Sequence, residues 1–88
     1  MKVEFLAQFE RDLSAVRDKS LKDEIFKVIT LLEQARTLRD VPNVKKLKGY
    51  KSSYRLRVGN YRIGFRLERS VIELARFLDR KEIYRYFP

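Results

Sequence analysis

Eight basic side chains, Lys45, Lys46, Lys48, Lys51, Arg55, Arg57, Arg62 and Arg66, fall between Val41 and Leu67, a stretch of 27 residues without a single aspartate or glutamate. Over the rest of the chain, 13 basic residues are balanced by 12 acidic ones, so nearly all of the net charge of +9 belongs to this one segment. Guanidinium groups grip phosphate oxygens in pairs through a planar fork, and lysines meet them as point charges. A field gathered in this way suits a polyanion, of which nucleic acid is the commonest. Tyr50 lies among the lysines and adds a ring on which an unpaired base can stack. A water-facing strand pair also alternates apolar and polar residues. The missing acids set this segment apart from such a solvated face. An anionic membrane is the less suitable partner, because it prefers an amphipathic basic helix to strands.

Other chemistries are excluded by composition. The chain has no histidine and no cysteine, which removes the usual general base at neutral pH, the commonest metal ligand and any thiolate site. Neither a metal nor a cofactor is expected. No apolar run has the length of a signal peptide or a membrane span. That pattern, with the lack of cysteine, points to the cytoplasm.

The elements that must position the basic set follow from periodicity. The 88 residues suit one domain, residues 1–88. Lys2–Leu6 alternates as a short strand. Phe9, Leu13 and Val16 recur at helical spacing over Ala7 to about Arg17. Ser20 offers an N-cap, with Asp23 three residues on, for a second helix reaching about Thr37, its apolar face made by Leu21, Ile25, Val28, Leu32 and Ala35. Pro42 breaks the pattern and opens a loop. The period then changes to two. Tyr54, Leu56 and Val58 alternate with Arg55 and Arg57, and beyond Gly59-Asn60 come Tyr61, Ile63, Phe65 and Leu67. Arg69-Ser70 leads into a third strand, Val71–Phe77, and the tail from Leu78 reads as a helical turn or an extended end. The expected class is α+β, in the order β-α-α-β-β-β, an antiparallel-rich twisted sheet with two N-terminal helices on one face.

Gly59-Asn60 is compatible with a two-residue type II′ turn, which fixes the register. Val58 faces Tyr61, Arg57 faces Arg62, Leu56 faces Ile63 and Arg55 faces Gly64. Tyr54, Leu56, Ile63 and Phe65 then share the helix-covered face, and Arg55, Arg57, Arg62 and Arg66 share the other. Like charges opposite one another weaken a sheet. Tolerating them without an acidic neighbour implies a partner that brings negative charge.

At Lys46–Phe65, KLKGYKSSYRLRVGNYRIGF resembles the RelE/ParE toxin superfamily: a K-L-x-G loop, then Y-R/K-I/L-R/K-V, a G-N/D-Y-R turn and an aromatic a few residues later. The ending, DRKEIYRYFP, is similar to the superfamily's basic C-terminal segment with its R-x-x-I/V-Y signature. With the shared element order, the resemblance spans nearly the whole chain. It implies a RelE-like toxin of a type II toxin–antitoxin system that enters the ribosomal A site and cuts messenger RNA. A cognate antitoxin would block it in a hetero-oligomer.

The resemblance implies site residues too. The basic pair of the first hairpin strand corresponds to Arg55 and Arg57, the arginine after the turn to Arg62, the C-terminal arginine to Arg80 and the tyrosine to Tyr84. Attack of a 2′-hydroxyl on the adjacent phosphate needs a proton acceptor, positive charge at the phosphorane and a proton donor for the 5′-oxygen. Charge would come from Arg57, Arg62 and Arg80, with Tyr84 orienting the RNA or moving a proton. Lys45, Lys46, Lys48, Lys51, Arg55 and Arg66 would bind its backbone. Many relatives carry histidine in H-R-K/R-x-I/V-Y where this chain has Asp79. A natural variant, a degenerate toxin and an inactivated form all account for that, and Asp79→His is expected to raise cleavage. Two other functions stay open: a ParE-like inhibitor of DNA gyrase, and a non-enzymatic nucleic-acid-binding module.

Overall fold

The computed structural model describes residues 1–88. The elements are β1 (Lys2–Phe5), α1 (Ala7–Ser14), α2 (Lys19–Gln34), a 3-10 turn (Leu38–Asp40), β2 (Val44–Lys46), β3 (Ser53–Val58), β4 (Tyr61–Glu68), β5 (Val71–Asp79) and α3 (Ile83–Tyr86). The class is α+β as expected. The 3-10 turn and β2 add to the expected order, and the tail takes the helical one of its two expected forms, as α3.

The helices are shorter than their apolar periodicity, for local reasons. Helix α1 stops at Ser14, whose hydroxyl donates to the Arg11 carbonyl at 2.7 Å and competes with the backbone pattern. Asp18, rather than Ser20, caps α2 by accepting from the Leu21 N–H at 3.2 Å. This satisfies a donor that the first turn would otherwise leave unpaired. The helix ends at Gln34, three residues before Thr37, where a new capping box takes over. The Thr37 side chain accepts from Arg39 N–H, and the Asp40 carboxylate accepts from the Arg36 and Thr37 N–H groups.

The five strands run in the order β1-β5-β4-β3-β2, antiparallel except for β1 beside β5. The hairpin register is the one counted from Gly59-Asn60, with Val58 facing Tyr61 and Arg57 facing Arg62. Gly59 has φ +59°, as the first position of a type II′ turn requires. One sheet face packs Leu56, Ile63, Phe65, Ile72, Leu74 and Phe77 against Phe9 of α1 and Ile25, Ile29 and Leu32 of α2. Each such side chain contributes about 1.5–3 kcal/mol on full burial, so this layer carries the fold.

Between β4 and β5 the register shifts at Gly64/Phe65: Gly64 pairs with Arg76 but Phe65 with Leu74. Ala75 is therefore an extra residue, a β-bulge. The slip lets Phe77 join Ile72 and Leu74 in the core, and turns Ala75 to the second face. There it meets Leu47, Ile83 and Phe87 in a smaller buried cluster. The tail is thus a docked helix, and the second face is covered at its centre.

Candidate nucleic-acid interface

The second face carries the basic set in transverse rows. Lys45 of β2 pairs with Arg55 of β3, which pairs with Gly64 of β4. In the next row Arg57 pairs with Arg62. Lys45, Arg55, Arg57 and Arg62, with Asn43, Val44 and Tyr84, line a cleft of about 420 Å³, within the size range of ligand sites, about 300–1,000 Å³. No acidic residue lines it, and neither of the molecule's two ion pairs, Asp12–Arg76 and Glu82–Arg85, involves a residue of the cleft.

Neutral groups hold the cations instead. Asn43, in the left-handed region at φ +67°, accepts from the Arg57 side chain through Oδ1 at 3.3 Å and from the Arg57 N–H through its carbonyl at 3.0 Å. Asparagine adopts that conformation more readily than other non-glycine residues. Arg62 donates to the carbonyls of Gly59 and Tyr61 at 3.1 and 2.9 Å. Arg55 lies over the face of Tyr84, its Cζ 4.3 Å from the ring centroid, a cation–π contact. Sequence reasoning passed over Asn43; its one signal was a Pro-Asn step just after a helix.

Tyr84 reaches the cleft from α3 and is 69% exposed. The Arg55 guanidinium, with further charge from Arg62 and Lys45, lowers the Tyr84 phenol from the ordinary tyrosine value. The guanidinium sits over the ring face, and its positive field favours the phenolate.

A family model, the ParE toxin of type II toxin-antitoxin systems, matches residues 3–84. The chain belongs to the RelE/ParE toxin superfamily. Toxin RelE3 of Methanocaldococcus jannaschii is 42% identical over 89 residues that cover the whole of both chains. Among solved structures, the RelB-RelE antitoxin-toxin complex from Methanococcus jannaschii matches with a TM-score of 0.82 and 38% identity, over 97% of this chain and 99% of that one. The archaeal RelE-RelB complex from Pyrococcus horikoshii shares the fold at a TM-score of 0.74 and 24% identity, over 90% and 93% of the two chains.

In this RelE/ParE toxin the remaining candidate residues separate. Lys46 pairs with Tyr54, and strand alternation turns it away from Lys45. It lines a concavity with Lys48, Tyr50 and Lys51 in the β2–β3 loop. Arg66 pairs across the sheet with Ser53 and Glu73, and its Cζ lies 5.3 Å from the Phe87 ring centroid. Arg80 is exposed and does not line the cleft; its N–H donates to the Asn60 carbonyl at the tip of the hairpin at 2.9 Å. Asp79 faces another concavity, beside Asp12, Asp18 and Tyr61. Its Oδ1 accepts from the Lys81 and Glu82 N–H groups, each at 2.9 Å. Those two bonds, Glu82's first, hold the carboxyl below its usual value. The toxin's sheet therefore brings Lys45, Arg55, Arg57, Arg62 and Tyr84 together, and keeps Lys46, Lys48, Lys51, Arg66, Asp79 and Arg80 apart from them.

Proposed function

We propose that this toxin is a RelE-type endoribonuclease that cuts messenger RNA in the ribosomal A site and is silenced by a cognate antitoxin. The observation carrying this reading is the acid-free cleft itself, in which Lys45, Arg55, Arg57 and Arg62 meet a phenol whose ionisation is eased.

In the proposed reaction the RNA's 2′-oxygen attacks the adjacent phosphorus, the bond to the 5′-oxygen breaks, and the products are a 2′,3′-cyclic phosphate and a 5′-hydroxyl. Arg57 and Arg62 meet the charge that builds on the phosphorane oxygens. Arg55 orients Tyr84, and the Tyr84 phenolate takes the 2′ proton. Lys45 is a donor at the cleft rim, suited to the departing 5′-oxygen. Lys46, Lys48 and Lys51 bind backbone beyond the reacting phosphate. Arg80, beside the hairpin tip, and Arg66 flank the site. Asp79 takes no part in this scheme: it caps the turn into α3.

Purified ribosomes programmed with a defined message provide the test. Added toxin should give cuts read by primer extension, and those cuts should form about 100-fold more slowly in Arg57→Ala. An intact message with salt-sensitive binding would leave only a nucleic-acid-binding module. The ParE description of the matching family model favours one other reading, inhibition of DNA gyrase. DNA damage after induction, with uncut messages, would establish it instead.

The solved RelB-RelE complex supports the antitoxin partner. Opposite charge recruits partners to a basic face. The antitoxin should therefore carry an acidic or apolar segment that covers the arginine cleft or displaces α3.

A further inference from the structure

Helix α3 has only four residues, too few to be stable alone, yet it carries Tyr84 to the cleft. What holds it is spread across three strands. Tyr84 lies against Arg55 of β3, Phe87 against Arg66 of β4, and Tyr86 against Arg76 of β5, at 4.3, 5.3 and 5.3 Å from guanidinium carbon to ring centroid. Ile83 is fully buried beside Phe87, Leu47 and Ala75. At the middle of this footprint is Gly64, buried in β4 between Arg55 and Arg76. A Cβ added there would meet Cγ, Cδ2 and Cδ1 of Phe87 at 2.5, 2.6 and 3.0 Å. The Phe87 ring occupies the space that a side chain at position 64 would fill. Gly64 has no positive φ, so backbone conformation does not call for glycine. Close approach of the ring does.

We infer that Gly64 and Phe87 are positioning residues: the missing side chain seats the ring, the seated ring docks α3, and the docked helix holds Tyr84 over Arg55. Neither residue touches RNA in this scheme; both act through Tyr84. A glycine within a strand ordinarily weakens it and frequently marks a close approach of another group. Here that group is the chain's own tail, and the gain is a tyrosine fixed at the cleft. The inference rests on the proposed function only for its effect on cleavage. The placement of Tyr84 can be read without RNA.

The experiment compares the full chain with Gly64→Ala, Phe87→Ala and the double variant. The first readout is NMR: Arg55 side-chain protons beneath the Tyr84 ring should be shifted upfield, and Tyr84→Leu identifies the source of that shift. The second is the ionisation midpoint of Tyr84. In Gly64→Ala the upfield shift should disappear and the midpoint should rise toward the ordinary tyrosine value, while thermal unfolding stays cooperative. Phe87→Ala should do the same. In that background Gly64→Ala should add nothing, because the clash has gone. Misplacing a reacting group by about 1 Å costs about 100-fold, so cleavage should fall by that order in each variant. A folded Gly64→Ala protein that keeps the Arg55 shift, or additive effects of the two substitutions, would overturn the inference. If Gly64→Ala alone does not fold, Phe87→Ala decides: the Arg55 shift must be lost, and its retention refutes the idea. A wild-type protein that cuts nothing on ribosomes removes the nuclease reading but leaves the NMR result standing. A wild-type protein that cuts, alongside a Gly64→Ala variant that cuts as fast, removes the positioning role alone.

Discussion

Asp12 is where one substitution should cost most outside the apolar core. Strand β1 pairs with β5 as far as Leu74, and the Leu6 N–H closes that ladder on the Leu74 carbonyl. Beyond it the edge of β5 would be open, and the Asp12 carboxylate stands in for a strand. Oδ2 accepts from the Phe77 N–H at 2.9 Å and from Arg76 Nε at 2.8 Å, and Oδ1 accepts from Arg76 Nη2 at 3.2 Å. The Asp12 side chain is 7% exposed and that of Arg76 20%. Asp12→Ala leaves a part-buried N–H without an acceptor, at about 1–3 kcal/mol. It also breaks a largely buried pair, for which about 3–5 kcal/mol is usual. Arg76 keeps some access to water and the two terms overlap, so about 3 kcal/mol is the expected total. Asp12→Asn keeps an oxygen for the Phe77 N–H and Arg76 Nε but loses the charge and sets an NH2 against Arg76 Nη2, at about 1.5–2 kcal/mol, within the range for a hydrogen bond to a charged group. For a domain of this size 1 kcal/mol moves the midpoint by about 4–8 °C, so Asp12→Ala should melt about 12–24 °C lower. Urea unfolding with an unchanged m-value isolates the native-state term. A loss under about 1 kcal/mol for Asp12→Ala, below the least expected for an unmet buried group, or equal losses for alanine and asparagine, would refute this account of the edge.

Arg57→Ala and Arg62→Ala should each slow cleavage on programmed ribosomes about 100-fold, read as single-turnover rates; an effect under tenfold would take that arginine away from the phosphate. Because Arg55 lowers the Tyr84 phenol, a Tyr84 base predicts a cleavage rate that climbs with pH and levels off below the ordinary tyrosine value. Tyr84→Phe should abolish the climb, and an unchanged profile would exclude the base role. Arg69 and Ser70 join β4 to β5 with φ of +51° and +65°, the left-handed pair that a type I′ turn demands and that Asn-Gly meets without strain. Arg69→Asn with Ser70→Gly should therefore stabilise the fold by about 1 kcal/mol, measurable as a raised urea midpoint. Asp79 accepts two N–H bonds as a carboxylate and its folded pKa is depressed, so its contribution is present above the unfolded value and lost as pH falls through the lower, folded one. The melting difference between wild type and Asp79→Ala should shrink toward zero in that acid range, and Asp79→His should destabilise α3 without raising cleavage.

The hairpin was legible because two independent constraints agree: strict period-two alternation, and a Gly-Asn pair compatible with a two-residue turn. Together they fix every cross-strand partner from Val58–Tyr61 to Arg55–Gly64. The buried face of α2 was legible through Ile25 and Leu32. What escaped depends on contacts between distant segments. Strand β2, Val44–Lys46, has three residues, two of them lysines, and exists because β3 offers it an edge. Seen as loop, its lysines look equivalent; as strand, Lys45 joins the cleft and Lys46 turns away. The bulge at Ala75 is a one-residue slip that puts Ile72, Leu74 and Phe77 on one side, a spacing of two and then three that alternation alone does not interpret. The seat of α3 combines Leu47, Gly64 and Ala75 from three separate stretches, so no window of sequence contains it.

The partners of the cleft cations explain how the face can be both folded and charged. Lys45 opposite Arg55, and Arg57 opposite Arg62, each cost the sheet a few tenths of a kcal/mol or more, about 0.2–1. A carboxylate placed among them would relieve that repulsion, but it would also cancel the field. The groups that hold them are an amide on Asn43, the carbonyls of Gly59 and Tyr61, and the ring of Tyr84. All are neutral dipoles or a quadrupole, able to orient a guanidinium without discharging it. Nearby acids are engaged elsewhere: Asp12 on the β5 edge, and Asp79 capping the turn into α3. The repulsion is thus left in place by the fold, and under the proposed function a phosphate chain entering the cleft would relieve it. Binding energy of that origin is largest where the arginines are already held, which is what a site that stabilises a transient phosphorane requires.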